Sequence, residues 1–481
     1  MTSKTIDERL NMFAVYLNRT QMGHKAYQFD GVRWCLENEL QVRNNNNINI
    51  PKIRGGFIAD EMGLGKTIMM IGLMLCNFQK QTLIVVPPVL IEQWKWQIFL
   101  TTGHKALVYH GINKKKITKE ALSKAIIVIT TYNSTMISNP KKQQQTNLLH
   151  EIEWSRIIYD EAHHLRNSKT ALFQGARQLK GQIHWLVSGT PIQNKKDDFY
   201  SLCSIMRLPA SFYTEPSNLH LFAKYFLLKR TKAQVGIEMP QISIKKDIVG
   251  WSNMKEMELS QQIHEDLLNC ESKEKLLFML LARQSCIMSG LLTKLPKNIK
   301  NTTNASTSSK LDHVINEILL KKGNNCGKLV FCHFRQEIDE IRDRLFKGGI
   351  ESIATFDGRL PNSKRQEILT AGTEVLILQI QTGCEGLNLQ ENYSEIYFVS
   401  PHWNPAVEDQ AIARCHRIGQ TKPVYVKRFV MGDFLKEQEQ DPNQDPKQEE
   451  QDPNQEILSL DNYITQTQER KQKIISGIMN V

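Results

Sequence analysis

Features that would mark a secreted or membrane protein are missing from this sequence. None of its nine cysteines forms a C-x-x-C pair, and none stands at a spacing from histidine that would build a zinc site. The N-terminus lacks the apolar segment of a signal peptide, and no apolar run approaches the ~18 residues that a membrane helix needs. We therefore expect a soluble protein of a reducing intracellular compartment, with no membrane partner.

The composition is that of a globular protein with an excess of positive charge. The 481 residues are 41% hydrophobic and 23% charged, which suits about three domains or two large lobes. The formal net charge of +11 favours a polyanionic partner, with nucleic acid preferred over an anionic membrane.

The strict phosphate-loop pattern G-x-x-x-x-G-K-[ST] is also missing, but a variant with Asp60 in place of the first glycine is present. Gly63 and Gly65 let the backbone turn its N–H groups inward, Lys66 supplies a cation, and Thr67 offers a hydroxyl to Mg²⁺ at the start of a helix. The alternative is a glycine-rich turn before an ordinary helix. We predict a triphosphate-binding loop made of Asp60, Glu61, Met62, Gly63, Leu64, Gly65, Lys66 and Thr67.

An acidic pair follows a predicted strand downstream of this loop. The β-branched runs at 81–86, 125–129 and 154–159 predict buried parallel strands. Asp160 and Glu161 end the third run, and two carboxylates there match what Mg²⁺-nucleotide hydrolysis needs. Asp160 would hold the metal through water, and Glu161 would orient the attacking water.

Three other polar side chains are candidates for ligand contacts. Gln28 lies in a predicted helix, and its amide, which both donates and accepts, suits the edge of an adenine; the alternative is a solvated helix residue. Thr130 and Thr131 follow the second strand, where hydroxyls can contact phosphates, although they can also be an ordinary strand end.

The α/β alternation begins again after an Asn/Ser/Thr-rich stretch, with strands predicted at 328–332, 353–356, 375–378 and 395–399. This pattern predicts an α/β fold of two doubly wound parallel-sheet lobes with helical insertions. The predicted domains are an N-terminal lobe (1–235), a helical region (236–296), a flexible linker (297–310), a C-terminal lobe (311–435), a disordered acidic Gln/Asp/Pro repeat (436–456) and a C-terminal bracing helix (457–481).

Two arginines of the second lobe are candidate phosphate ligands. Arg414 and Arg417 are three residues apart, which predicts that they share one face of a helix. A lobe without a phosphate loop can use such guanidinium groups against a γ-phosphate that another lobe binds. The alternative is surface salt bridging.

Taken together, five motifs resemble those of the Swi/Snf-type branch of the superfamily-two helicase-related ATPases, the chromatin-remodelling and DNA-translocase family. They occur in the family's order between about residues 20 and 435, namely 60–67 (DEMGLGKT), 160–163 (DEAH), 188–194 (SGTPIQN), 386–389 (GLNL) and 410–420 (QAIARCHRIGQ). The resemblance implies two RecA-like lobes, ATP and Mg²⁺ as cofactors, and movement along double-stranded DNA, generally without strand separation.

The resemblance also implies a role for each matching residue. Gln28 and Gln410 would join the loop in binding ATP, and Thr67 and Asp160 would hold Mg²⁺, mostly through water. Catalysis would use Lys66, Asp160, Glu161, Arg414 and Arg417; coupling would use Ser188 and Thr190; DNA contacts would come from Thr130, Thr131 and Asn388.

The sequence also favours one sub-branch. The segments 163–167 (HHLRN) and 402–406 (HWNPA) are similar to members that act in lesion bypass and transcription termination, some of which carry a RING ubiquitin-ligase insert. The cysteine spacing excludes that insert here. Gln381, Cys384 and Glu385 replace the basic residue and two glycines usual before Gly386, which weakens the DNA contact expected at that loop.

The expected protein is a monomeric motor that acts on duplex DNA, with nucleosomes or RNA polymerase as further partners. Its many Asn, Lys and Ile residues are typical of an AT-rich genome such as that of a large DNA virus, so the expected location is the nucleus, a viral factory or a virion. The alternatives are a strand-separating DNA or RNA helicase and a non-catalytic nucleic-acid-binding scaffold. The complete set of catalytic candidates argues against the scaffold.

Overall fold

The structure, a computed structural model, describes residues 5–20, 23–42, 50–137, 147–189, 196–296, 299, 308–359, 362–383, 387–434 and 457–479. The chain divides into two compact units. The first contains residues 1–238 and 471–481, and the second contains residues 239–470.

Seven parallel strands form the sheet of the first unit within its described residues. They are β1 (Arg54–Ile58), β2 (Thr82–Val86), β3 (Leu107–Tyr109), β4 (Ile127–Thr131), β5 (Glu153–Asp160), β6 (Lys180–Val187) and β7 (Leu227–Leu228). The strand order is β3-β4-β2-β5-β6-β1-β7, and every neighbouring pair is parallel.

Helices cover both faces of this sheet. They are α1 (Ile6–Arg19), α2 (Ala26–Glu39), α3 (Lys66–Cys76), α4 (Ile91–Thr102), α5 (Lys119–Lys124), α6 (Tyr132–Thr135), α7 (Ala171–Gln178), α8 (Lys196–Ile205), α9 (Ala210–Tyr213) and α10 (Leu219–Phe226). Along β2, Leu83 and Val85 pack into one apolar core, and Ile84 and Val86 pack into another. Because both faces are buried, the strand is apolar throughout, as its sequence predicted.

The second unit is built around a parallel sheet of six strands in the described part of the chain. They are β8 (Ile242–Val249), β9 (Gly327–Cys332), β10 (Ile353–Phe356), β11 (Val375–Gln379), β12 (Tyr393–Phe398) and β13 (Val424–Met431), in the order β10-β11-β9-β12-β13-β8. Its helices are α11 (Met254–Asn269), α12 (Lys275–Ser285), α13 (Ser309–Leu320), α14 (Arg335–Lys347), α15 (Asn362–Ala371), α16 (Ile380–Gly383) and α17 (Pro405–Ile412). The last helix, α18 (Leu460–Met479), continues past residue 470.

Two parallel α/β sheets confirm the predicted fold class of RecA-like lobes. One detail is wrong: the region 236–296, predicted to be helical, also contributes strand β8. This strand pairs with β13 along all eight of its residues, from Ile242 opposite Val424 to Val249 opposite Met431. It lies at the sheet edge and carries exposed polar residues such as Lys245 and Lys246. Polar residues therefore interrupt its apolar sequence, unlike that of a central strand.

The predicted linker 297–310 also extends too far. Ser308 caps α13 by accepting a hydrogen bond from the N–H of Leu311 over 3.1 Å. Lys310, within that helix, is fully buried, donates to Ser400 Oγ over 2.8 Å, and forms an ion pair with Asp461. A lysine held in this way belongs to the lobe rather than to a linker. Residues 300–307 and the predicted disordered repeat at 436–456 lie outside the described residues, and the other domain boundaries stay predictions.

No helix among the described residues is both long enough and apolar enough to span a membrane.

Candidate nucleotide site

The predicted phosphate loop connects β1 to the N-terminus of α3, at the carboxyl edge of the first sheet. Gly63 and Gly65 have φ values of 91° and 81°, a left-handed conformation that glycine adopts without steric cost. Gly65 is the N-cap residue of α3. A Cβ at this position would lie 2.5 Å from Nε2 of Gln28, so a larger residue would have to displace that amide.

The ammonium group of Lys66 lies over the loop's own carbonyl groups. Its Nζ donates to the backbone oxygen of Asp60 over 2.8 Å and to that of Glu61 over 3.4 Å. Thr67, the second residue of α3, is half-buried beside it. The loop therefore presents a cation, a hydroxyl and a helix N-terminus at one place, which is the arrangement that phosphate groups need.

Gln28 is buried against this loop rather than solvated. It is 3% exposed, and its Nε2 donates to the backbone oxygen of Leu64 over 3.3 Å. The solvated-helix alternative is wrong. Contact of Gln28 with adenine stays a prediction.

Asp160 is the last residue of β5, and each of its three oxygens accepts a hydrogen bond inside the lobe. Its Oδ2 accepts from Trp94 Nε1 over 2.7 Å, its Oδ1 accepts from the N–H of Glu161 over 3.0 Å, and its backbone oxygen accepts from the hydroxyl of Tyr132 over 2.6 Å. Burial, followed by the charge of Glu161, raises the pKa of Asp160 to about 7, while Trp94 and Lys66 oppose the rise.

A chain of polar contacts leads from the acidic pair to the next strand. Glu161 has a left-handed backbone, with φ of 51°, an uncommon conformation for a residue with a side chain. Its Oε2 lies 3.3 Å from Nδ1 of His163, and the same nitrogen lies 3.2 Å from Oγ of Ser188. Ser188 in turn donates its N–H to the backbone oxygen of Ile58 over 3.0 Å.

Gly189 brings this segment next to the phosphate loop. A Cβ added there would lie 2.9 Å from Cγ of Met62 and 3.4 Å from Nζ of Lys66. The structure therefore brings together the loop, the acidic pair and Ser188, three elements far apart in the sequence. Thr190 lies outside the described residues.

The carboxylates of Asp60 and Glu61 form ion pairs with two basic side chains from outside the loop rather than binding a phosphate group. Asp60 is fully buried and forms a two-point ion pair with Arg230, over 3.1 Å to Nε and 2.6 Å to Nη2. Oε1 of Glu61 lies 3.0 Å from Nζ of Lys232. Sequence reasoning missed Arg230 and Lys232. The available signal was a pair of acids in the loop and a basic cluster after the apolar β7.

The candidate residues of the second unit form a separate group. Gln410 is 4% exposed within α17, which ends at Ile412, so the expectation that Arg414 and Arg417 share a helical face is wrong. Beyond the helix, the carbonyl of Arg414 accepts a hydrogen bond from the N–H of Leu389, in a neighbouring loop, over 3.1 Å.

The two arginines are still electrostatic neighbours. Burial, and then the charge of Arg414, lowers the pKa of Arg417. Nη1 of Arg417 donates to Oδ1 of Asn388, which is exposed.

Thr130 and Thr131 are buried, and direct contact of their hydroxyls with DNA is not supported. Thr130 Oγ1 donates to the backbone oxygen of Tyr109 over 2.8 Å. Thr131 Oγ1 lies 3.1 Å from Nδ1 of His110 and 3.0 Å from Oγ of Ser134. Both threonines are 1% exposed or less, because β4 is covered on both sides where it ends.

The donor set at the loop fits a magnesium ion that is also bound to phosphates. Mg²⁺ usually takes one or two protein oxygens and keeps several waters, and Thr67 and Asp160 would hold it, mostly through those waters. The raised pKa of Asp160 reflects a buried carboxylate whose charge is incompletely compensated, which a cation would correct. Among the described residues, no cluster of three or more His, Cys, Asp or Glu side chains could hold a metal without a nucleotide.

Two family models match most of the chain. The SNF2-related domain matches residues 27–320, and the helicase conserved C-terminal domain matches residues 309–419. The chain belongs to the SNF2-related family. It is thus related to ATP-dependent enzymes of helicase superfamily two, as its motifs predicted.

Individual SNF2 relatives are moderately similar. The ATP-dependent DNA helicase DDM1 of Arabidopsis thaliana is 27% identical over 471 residues, covering 84% of this chain and 58% of that protein. The ISWI chromatin-remodeling complex ATPase ISW2 of Saccharomyces cerevisiae is 28% identical over 461 residues, covering 86% of this chain and 39% of that protein. Relatives of similar identity come from several SNF2 branches, so the comparisons give the family and no single branch.

A solved structure, the Sulfolobus solfataricus SWI2/SNF2 ATPase core in complex with dsDNA, has 22% identity and a TM-score of 0.40, covering 85% of this chain and 88% of that chain. The chain spans 33% to 58% of the length of DDM1, ISW2 and six further SNF2 relatives.

Proposed function

We propose that this protein is a DNA-stimulated ATPase that moves along double-stranded DNA and remodels protein–DNA complexes. The observation that carries the proposal is the gathering of Lys66, Asp160 and the Ser188–Gly189 backbone around one phosphate loop. Family membership and a net charge of +11 support ATP as the nucleotide and a nucleic acid as the partner.

Each residue of this group has a chemical role. The ammonium group of Lys66 leaves the carbonyls of Asp60 and Glu61 for the β- and γ-phosphates. Thr67 and Asp160 would hold Mg²⁺, mostly through water, and the ion would neutralise phosphate charge. Glu161 orients the attacking water.

Residues outside this group complete the proposed reaction. Gln28 and Gln410 contact the nucleotide, and Arg414 and Arg417 stabilise the negative charge that develops on the transferred phosphoryl group. Ser188 and Thr190 couple hydrolysis to movement. Of the predicted DNA ligands, Asn388 is exposed, as a contact with a phosphate requires.

The finer assignment is to the lesion-bypass and transcription-termination sub-branch, without a RING insert. The segments 163–167 and 402–406 support it. Under this assignment the protein is a monomeric motor of the nucleus, or of a viral factory or virion, with nucleosomes or RNA polymerase as partners.

ATP hydrolysis measured with and without duplex DNA tests the proposal, with Lys66→Ala as the inactive variant. We expect duplex DNA to raise the rate and Lys66→Ala to abolish it. Equal rates with and without DNA, or full activity of the variant, would contradict the proposal. A strand-displacement assay with DNA and RNA substrates separates a translocase from a helicase. A chain that binds nucleic acid but neither binds nor hydrolyses ATP would be a scaffold.

A further inference from the structure

The segment after β7 runs alongside the entrance to the phosphate loop. β7 pairs with β1, and the backbone contacts continue beyond both strands. Ala59 donates its N–H to the backbone oxygen of Leu228 over 2.7 Å, and Glu61 donates its N–H to that of Arg230 over 2.9 Å. Residues 228–232, which we call the β7 extension, are therefore hydrogen-bonded to the first residues of the loop.

The guanidinium group of Arg230 joins three elements of the nucleotide site. It forms the two-point ion pair with Asp60 at the loop entrance, and its Nη1 donates to the backbone oxygen of Tyr27 over 2.5 Å. Its Nη2 lies 3.4 Å from Sδ of Met69 in α3. Tyr27 directly precedes Gln28, so one side chain fixes both the helix of the predicted adenine contact and the loop of the predicted phosphate contacts.

The fit around this guanidinium is close. A Cβ at Gly31 of α2 would lie 2.9 Å from Nη2 of Arg230 and 2.5 Å from Sδ of Met69. The helix therefore needs a glycine opposite the arginine.

A second ion pair, between Lys232 and Glu61, also connects the β7 extension to the phosphate loop. Lys232 donates its N–H to Oε2 of Glu61 over 2.8 Å, and its Nζ lies 3.0 Å from Oε1 of the same carboxylate. Lys232 is only 5% exposed. Asp60, which departs from the strict phosphate-loop pattern, and the adjacent Glu61 are thus each bound by a cation of the β7 extension.

The Arg230–Asp60 pair is largely buried, with side chains that are 16% and 0% exposed, whereas the Glu61 side chain is 41% exposed. A buried ion pair adds little to stability, because desolvation offsets much of its attraction, but its two-point geometry is specific. We propose that Arg230 and Lys232 are positioning residues of the nucleotide site, which hold Asp60 and Glu61 so that the loop and Gln28 fit one nucleotide. This inference rests on the proposed ATPase function. Neither cation contacts the nucleotide itself.

The test compares ADP affinity, measured with a fluorescent ADP analogue, and the KM and kcat for ATP among variants of the full chain. Arg230→Met removes the guanidinium group and both of its contacts with Asp60. We expect this variant to raise the Kd for the ADP analogue and the KM for ATP about tenfold. Arg230→Lys keeps the charge but only one contact, so its effect is intermediate. Partial unfolding alone would lower the apparent kcat and leave KM unchanged, so KM distinguishes the positioning role from a loss of fold.

A matched control and a double variant sharpen this test. Arg207→Gln alters an arginine of the same unit that donates to the backbone oxygens of Arg177 and Leu179, and we expect it to leave KM unchanged. Asp60→Asn alone leaves Arg230 without its counter-charge. Asp60→Asn with Arg230→Gln replaces the ion pair by a neutral one and should recover about threefold in KM relative to Asp60→Asn.

The possible outcomes separate the two proposals. A wild-type protein that neither binds nor hydrolyses ATP contradicts the proposed function. Wild-type activity, combined with a folded Arg230→Met variant whose KM lies within about twofold of wild type, overturns the positioning role alone. If Arg230→Met does not fold, unchanged KM values for Arg230→Lys and Asp60→Asn overturn it in the same way.

Discussion

Trp94 Nε1 donates a hydrogen bond to Oδ2 of Asp160 over 2.7 Å, and both side chains are shielded from solvent. This bond favours the ionised carboxylate, whereas burial and the charge of Glu161 favour the protonated one and raise the pKa of Asp160 to about 7. The charge on the proposed Mg²⁺ ligand at neutral pH therefore depends on an indole from a neighbouring helix.

Trp94→Phe is expected to make ATP hydrolysis more sensitive to acid. The substitution keeps an aromatic ring but removes the donor, so the pKa of Asp160 rises further. Loss of a charge-assisted hydrogen bond of ~1.5 kcal/mol corresponds to roughly one pH unit, so the acid limb of the kcat/KM profile should move to higher pH by that amount. Trp96→Phe, at a position on the same helix that is 60% exposed, is the control. An unmoved acid limb in Trp94→Phe would contradict this role of the indole.

Asp160→Asn is expected to stabilise the nucleotide-free protein at alkaline pH while abolishing hydrolysis. Because the folded pKa is raised, the contribution of Asp160 to stability is present below pH ~4 and is lost as pH rises through about 7. The advantage of the variant over wild type should therefore be larger at pH 8 than at pH 5, by up to ~3 kcal/mol.

Urea unfolding at the two pH values measures this difference. Asp7→Asn, which alters an exposed carboxylate of α1, should show little pH dependence of its effect. An advantage of Asp160→Asn that is equal at both pH values would mean that Asp160 does not titrate as described.

The local patterns of the sequence predicted three strands of the first sheet, β2, β4 and β5, and four of the second, β9, β10, β11 and β12. Apolar runs bounded by prolines and polar turns identified the central strands, because a strand covered on both faces is apolar throughout. No continuous apolar run marks β8, because it is an edge strand with Lys245 and Lys246 in its middle. The end of α17 at Ile412 was also missed, because no proline or glycine follows it before Gly419.

The candidate nucleotide site was predictable where a residue type has a specific chemistry at a specific spacing. Lys66, Thr67, Asp160 and Glu161 are of this kind. Arg230 had only a general signal, the acids in the loop and the basic cluster after β7, because its partner is set by the pairing of β7 with β1, which no local pattern encodes. The burial of Thr130 was not predictable for the same reason, because its hydroxyl donates a hydrogen bond to the backbone of the neighbouring strand β3.

Arg417→Ala is expected to lower kcat strongly and leave ATP affinity nearly unchanged. A cation that acts on the charge of the transferred phosphoryl group contributes mainly in the transition state, by ~10³-fold or more. Single-turnover hydrolysis and nucleotide binding together measure this. Lys422→Ala, which removes a cation of the same unit that binds the backbone oxygen of Asn325, is the control. A loss of affinity equal to the loss of rate would instead indicate a role in ATP binding.

Gly65→Ala is expected to abolish nucleotide binding. Its Cβ would lie 2.5 Å from Nε2 of Gln28, in addition to the strain at a φ of 81°. Gly103→Ala is a matched control, since Gly103 has a φ of 68° at the C-terminus of α4 with no atom within 4 Å of the added Cβ. It should cost only the backbone strain of ~1–2 kcal/mol and leave the Kd for ADP unchanged. Equal effects of the two substitutions on the Kd for ADP would contradict a steric role for the contact between residue 65 and Gln28.

Thr130→Val is expected to reduce stability without changing DNA affinity. The side chain of Thr130 is fully buried, and its loss leaves the backbone oxygen of Tyr109 without this donor, at a cost of ~1–3 kcal/mol. Asn388→Ala alters an exposed candidate instead and should weaken duplex binding. Salt titrations of DNA binding measure both variants, because loss of a phosphate contact lowers the affinity while loss of an internal hydrogen bond does not. Weaker DNA binding by a folded Thr130→Val protein would restore Thr130 as a DNA ligand and would require β4 to open when DNA binds.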